Sequence, residues 1–286
     1  MKDDLGDRMK GNYEDRTRYL LPRRTYTIIR LDGKAFHTYT RGLNKPFDKG
    51  LFEDMDQAII TILPQIQGAV FAYTQSDEIS ILLTDFALPT TSAWFDGNLQ
   101  KMCSVSASLI TGEFNRFRAR RWSHGLRAEM MLAKLGQDDA DVSEYTTEEG
   151  CVFNVANFDS RLFTISDRTE VMNYFIWRNQ DCTRNSLSMV AQANFSHKEL
   201  QGKSSPEMHE MLHQKGVNWA TDYTDGEKNG RLIVKETFEV KPKMFPGTLM
   251  QDNAATYNAS RTKWVAKGAW KFTDDKDKLL AMIPTI

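Results

Sequence analysis

The sequence predicts an α+β protein built on an antiparallel sheet, and three observations predict it. Short β-branched and aromatic runs, Tyr26–Leu31, Ala69–Thr74 and Ile79–Leu83, are bounded by turn residues. Two other segments carry apolar residues at helical spacing. Together they alternate along the chain in the order β-α-β-β-α-β.

Tyr26 to Leu31 reads as a strand that ends in the sharp turn Asp32-Gly33. Leu51, Met55, Ala58, Ile59, Ile62 and Leu63 then share one helical face, and Pro64 stops the pattern. The strands Ala69–Thr74 and Ile79–Leu83 are joined by Gln75-Ser76-Asp77-Glu78, a polar link of hairpin length. Leu99, Met102, Cys103, Ser106, Leu109, Ile110, Phe114 and Phe117 mark a long amphipathic helix. Beyond an acidic loop from Gly136 to Gly150, residues 151–156 and 161–166 supply more strand. This is the split arrangement of ferredoxin-like and polymerase-palm folds, with helices on one face of the sheet. Helices follow at about 169–180, 185–194 and 206–214, and Arg231–Val240 returns to strand. From Lys241 onward the periodicity is weak. The expected division is a palm-like core over 1–168, a helical RNA-contacting region over 169–240 and a peripheral tail over 241–286.

A chain of 286 residues with 41% hydrophobic and 26% charged residues has the composition of a globular protein with a sizeable core. Its net charge of -1 announces no global attraction to nucleic acid, so such a partner needs a local patch. Cys103, Cys151 and Cys182 lie far apart, which argues against a disulfide framework or thiolate zinc site and favours a reducing, cytoplasmic setting. The charged N-terminus lacks the apolar core of a signal peptide, and no stretch approaches the roughly 20 apolar residues that span a bilayer.

The two acidic turns carry the chemistry. Magnesium takes hard oxygen ligands, and two ions about 3.5–4 Å apart clamp the attacking and leaving oxygens of a phosphoryl transfer. That clamp needs carboxylates from separate strands at one sheet edge, and Asp32 and Asp77 end the right segments. Gly33 lets its carbonyl approach an ion, and the amides from Lys34 to His37 are expected to turn toward phosphates. Lys34, His37 and Lys45 supply positive charge or donors to a triphosphate.

Several stretches together resemble the tRNA-histidine guanylyltransferase family, in its bacterial and phage-type branch. They are Ile28–Gly42, Asn44–Asp48, Tyr73–Ser80, Asn98–Ser108, Phe158–Phe163, Trp177–Gln192 and Asn194–Ser204, in the family's order. The resemblance implies a palm-like core, assembled as a homotetramer, that adds nucleotides to the 5′ end of tRNA in the 3′–5′ direction. It implies activation of a 5′-monophosphate by ATP or GTP, then attack by the incoming 3′-hydroxyl. By position, Asp32, the Gly33 carbonyl and Asp77 resemble the ligands of two Mg2+ ions, with Glu78 as a further catalytic acid. Lys34, Ala35, Phe36 and His37 match the segment that wraps the triphosphate, with Lys45, Asp48 and Ser76 close by. Lys101, Arg178, Asp181 and Asn185 match contacts to RNA or a second triphosphate. Residues 181–186 look like the bacterial form of their motif, which implies repair of 5′-truncated tRNA rather than strict guanylylation of histidine tRNA.

Rival readings come from other classes. Palm-type cores also serve nucleotide cyclases, and a decayed site would leave a non-catalytic tRNA-binding module. His209-Glu210-Met211-Leu212-His213 fits the H-E-x-x-H zinc protease pattern, yet Trp219 stands where its long form has a third histidine. Met208, Met211 and Leu212 form that helix's apolar stripe, so both histidines are expected on its surface. Arg116, Arg118, Arg120, Arg121 and Arg127, with Phe117 and Trp122, form the densest basic cluster. It reads equally as a solvated helix end and as a phosphate-binding surface.

Overall fold

The computed structural model describes residues 3–136, 155–240 and 259–285. The strands are β1 (Tyr26–Gly33), β2 (Ala69–Gln75), β3 (Glu78–Leu83), β4 (Phe158–Ile165), β5 (Arg231–Val240) and β6 (Ala259–Gly268). The helices are α1 (Asp4–Met9), α2 (Phe36–Tyr39), α3 (Lys49–Ile62), α4 (Leu99–Gly136), α5 (Arg168–Asn194), α6 (His197–Leu200), α7 (Ser205–Gln214), α8 (Trp219–Asp222), α9 (Asp225–Asn229) and α10 (Lys276–Ala281). Six strands form one sheet in the order β4-β1-β3-β2-β5-β6, and every pairing described is antiparallel. The expected β-α-β-β-α-β order therefore stands over β1 to β4. The expected strand over residues 151–154 lies outside the described residues, as do 137–150 of the acidic loop.

Helices cover both faces of the sheet rather than one. Ile29, Leu31, Ile79, Ile81 and Leu83 pack with Met55, Ile59, Ile62, Ile110 and Phe114 from α3 and α4. On the other face Tyr26, Ile28, Phe71, Tyr73 and Leu82 pack with Val171, Tyr174 and Phe175 of α5 and with Phe272, Leu279 and Ile283. The sequence already carried the reason. Ile79-Ser80-Ile81-Leu82-Leu83 has no polar alternation beyond one serine, the pattern of a strand buried on both sides. Ser80 meets that burial by hydrogen bonding the Tyr174 hydroxyl at 2.8 Å.

α3 opens at Asp48, whose carboxylate accepts from the Leu51 amide at 2.7 Å, and ends before a short 3-10 turn containing Pro64. α3 and α4 are bolted by buried Asp54, which accepts from Arg118 at 3.0 Å and Arg121 at 2.9 Å. Two helices expected at 169–180 and 185–194 are one continuous helix, α5, capped by Asp167. Thr183 and Asn185, weak helix formers, are carried by tertiary packing of Cys182, Ser186 and Leu187.

The C-terminal segment differs most from expectation. Residues 259–268 pair with all of β5, and Ala269, Phe272, Leu279 and Ile283 are fully buried against the α5 face. The Phe272 amide donates to Asn179 Oδ1 at 2.9 Å, and its ring lies 5.4 Å from that of Tyr73. A few widely spaced apolar anchors hold this segment, so no periodicity betrays it. Replacing Phe272 with Ala will cost about 3–5 kcal/mol of stability, read as a lower urea midpoint, if this segment is core. An unchanged midpoint returns it to the periphery.

Candidate active site

β1 lies between β3 and β4, and the register sets Asp32 opposite Glu78 on one side and Asp159 on the other. All three carboxylates alternate onto the α5 face of the sheet. The β2–β3 connection is a two-residue turn, Ser76-Asp77, with Ser76 at φ 50°. Gly33 makes the close approach between strand end and turn. A Cβ there would stand 2.9 Å from the Asp77 Cβ and 2.2 Å from the Phe36 ring, so only glycine fits without a shift. Asp32 and Asp77 thus meet at the same sheet end, as the sequence reading required.

The electrostatics there are those of crowded acids. Burial pushes the Asp77 carboxyl up to about 6, and the charges of Asp32 and Glu78 push the same way, against hydrogen bonds from Ser76 and its own amide. Asp32, about one-third exposed, has Arg161 Nη2 at 3.4 Å, and the same guanidinium reaches Asp159 at 3.2 Å. Glu78 differs, since its charge is buried and matched. Its carboxylate accepts from Arg30 at 2.6 Å and from Arg178 at 2.9 Å. Arg178 is 4% exposed and also pairs with Asp181 at 3.4 Å, so its guanidinium faces inward rather than toward an RNA surface.

Two adjoining clefts open beside the acids. One is lined by Asp32, Asp77, Glu78, Asp181, Asn185 and Arg231. The other is lined by Lys45, Asp48, Leu51 and Gln192. Phe47, Phe52, Ser76 and Met189 belong to both. The first is walled largely by polar and charged side chains, the second has more apolar walls, and both carry the rings of Phe47 and Phe52.

The remaining expected residues are distributed unevenly. The Phe36 ring is buried among Tyr39, Phe114 and Phe158, which leaves only its backbone to face a ligand. Ala35 adopts φ 53° ahead of α2, whose His37 is exposed along with Lys34. The Lys34 amide is already donated to the Asn157 carbonyl at 2.8 Å, so it does not turn toward phosphate as expected. Asp48 is engaged as the α3 cap, within the second cleft. Lys101 is not brought to the acids. Its neighbour Met102 lines a small pocket with Thr27 and Leu83, five strand residues or about 17 Å from the Asp32–Glu78 level.

Sequence reasoning missed Arg30, Arg161 and Arg231. Arg30 had a signal, a lone charge inside the apolar run Tyr26–Leu31. Arg231 sits over the Phe52 ring at 4.3 Å and pairs with Asp56 at 2.6 Å, a tertiary arrangement with no local pattern. The arginine cluster on α4 is largely spoken for, with Arg116 on Glu113 and with Arg118 and Arg121 on Asp54. The Arg127 side chain lies outside the described residues. His209 and His213 are exposed on α7, with His209 edge-on to Trp219 at 5.4 Å.

A family model described as tRNAHis guanylyltransferase (Thg1) matches residues 6–166. The chain belongs to this family. It is accordingly a nucleotidyltransferase, of α+β fold with a six-stranded antiparallel sheet. The tRNA(His) guanylyltransferase of Debaryomyces hansenii is 26% identical over 235 residues, covering 78% of this chain and 77% of that one. A bacterial tRNA(His) guanylyltransferase-like protein solved in complex with ATP matches with a TM-score of 0.73 at 35% identity, covering 98% of this chain and 99% of that chain. A counterpart in complex with GTP matches with a TM-score of 0.71 at 33% identity over the same shares. No helix among the described residues is long and apolar enough to cross a membrane.

The crowded acids predict a cost. Above pH 6 the folded Asp77 carries a charge that the fold disfavours, whereas the unfolded chain ionises near 3.8. Stability from this group is therefore complete below about pH 4 and is lost as pH rises through 6. In chelator-treated protein at pH 7.5, Asp77→Asn will raise stability by about 1–2 kcal/mol, discounted for partial exposure. The gap should close below pH 4, and a destabilised Asp77→Asn protein would contradict it.

Proposed function

We propose that this enzyme is a magnesium-dependent nucleotidyltransferase with a palm-type core. It extends the 5′ end of tRNA in the 3′–5′ direction after ATP or GTP activates the 5′-monophosphate. The observation that carries the reading is the convergence of Asp32 and Asp77 at one sheet end, beside two adjoining clefts. The ATP and GTP complexes of similar bacterial proteins support nucleoside triphosphates as the cleft ligands.

Magnesium suits the donor set. Among the described residues no three or more His, Cys, Asp or Glu side chains are grouped to hold an ion by themselves. Magnesium does not ask for that, since it takes one or two carboxylates, retains water and draws the rest from phosphates. Asp32, Asp77 and the Gly33 carbonyl would hold it, and a bound cation would offset the burial and the like charges that raise Asp77. When bound, the ions supply charge that offsets the negative charge developing on the transferred phosphoryl group. The chain's own part is to orient. Lys45 and Asp48 border the second cleft, Asp181 and Asn185 the first, and Ser76 stands where the two join.

The proposed substrate is a 5′-truncated tRNA in the cytoplasm, handled by a homotetramer, in keeping with the bacterial-type motif at 181–186. Labelled nucleotide, magnesium and truncated tRNA supply the assay. Asp32→Ala and Asp77→Ala will each lower addition by at least about a thousandfold while circular dichroism stays that of wild type and melting falls no lower. Full activity in either variant ends the metal assignment, and cyclic nucleotide formed without RNA would favour the cyclase reading.

A further inference from the structure

Trp177 is an exposed aromatic on α5, the helix that carries Arg178 and Asp181, and nothing assigned so far uses it. Its side is readable from its neighbours on α5. Tyr174 packs on Phe163 of β4 at 5.5 Å, whereas Phe175 packs on Phe71 of β2 at 4.8 Å. Trp177 continues the Tyr174 side, with the two rings 6.1 Å apart, so it stands on the β4 flank. Asp181, one turn further along the same side, lines the catalytic cleft. Exposed Arg161 of β4 and Asp32, about one-third exposed, belong to this flank too.

Trp177 is 49% exposed, yet one ring face is covered. The Arg178 guanidinium lies over it at 3.7 Å and is itself fixed by Glu78 and Asp181. A buried ion pair therefore buttresses an aromatic plate whose other face meets solvent. Such a plate suits a nucleobase, because stacking accepts every base and cationic backing strengthens it. The two clefts already offer walls from Phe47, Phe52 and Met189 for a free nucleotide, and Trp177 is not part of either lining. An open plate outside both clefts, one helical turn from Asp181, fits the end of a macromolecule.

We propose that Trp177 is the stacking platform for the terminal nucleobase of the RNA being extended, with Arg178 and Glu78 as positioning residues behind it. The proposal rests on the RNA-end reading above. In the full-length protein, Trp177→Ala will raise KM for truncated tRNA about tenfold. Its kcat at saturating RNA and its KM for GTP and ATP will stay within about twofold of wild type. Trp177→Phe, which keeps a stacking ring, will recover most of the loss. With a tRNA whose terminal residue lacks its base, wild type and Trp177→Ala will have equal KM. An RNA KM unmoved in Trp177→Ala, a KM rise for the nucleotide instead, or the same loss with abasic RNA overturns the platform. A wild-type protein that extends no RNA removes the parent reading and the platform together, whereas normal extension with an insensitive Trp177→Ala removes the platform alone.

Discussion

Negative charge is concentrated at one end of one sheet, and the surrounding structure follows from how each acid is treated. Glu78 is neutralised from inside by Arg30 and Arg178 at 2.6 and 2.9 Å. Asp77 is partly buried beside Asp32 and Glu78 with only hydrogen bonds from Ser76 and its own amide to oppose that, and its proton is held up to about 6. Asp32 has only an exposed arginine at 3.4 Å, which water screens. The first acid anchors and the other two wait for charge from elsewhere. Burying two arginines costs desolvation, and Glu78 offsets it by accepting from both. The cluster is not fully satisfied, since the Nε atoms of Arg30 and Arg178 lack partners. Polar clusters of this kind fix geometry at the expense of stability, a bargain common at functional sites.

That anchor also explains why α5 is long and unbroken. The helix must reach from its cap at Asp167, past Arg178 at the acids, to Met189 in the cleft wall. Buried residues run along its length from Val171 to Ala191, and each stretch packs on a different partner. Val171, Tyr174 and Phe175 meet the sheet, and Leu187, Val190 and Ala191 meet Leu212 of α7. One rigid element therefore carries the arginine that meets Glu78, the cleft residues Asp181 and Asn185, and the Trp177 ring.

The C-terminal segment closes the same face. Asn179 donates to the carbonyls of Asn229 and Trp270 and accepts from the Phe272 amide, tying α5, the end of α9 and the chain after β6 at one buried side chain. Tyr73 joins them through its hydroxyl, 2.7 Å from the Asn229 carbonyl. Gly230, at φ 81°, leaves no room for a side chain, with the Tyr73 hydroxyl 2.6 Å from where a Cβ would be. Arg231 follows directly and lines the cleft beside Asp32 and Asp77. The packing of residues 269–283 is thus connected to the wall of the site.

Much of this was legible in the residues alone. Strand runs, helical spacing and the two acidic turns are local properties, set by side-chain period and turn chemistry within a few residues of each other. They sufficed for the β-α-β-β-α-β order and for the pairing of Asp32 with the Asp77 turn, because a two-residue turn and an alternating strand leave little freedom of register. What the tertiary structure decided has no local period. The partners of Glu78 are 48 and 100 residues away, α5 covers the face that the β-run left open, and Phe272 reaches the core from a segment without pattern. Charges and anchors of that kind are chosen by burial and by opposite charge across space, which only the folded chain brings together.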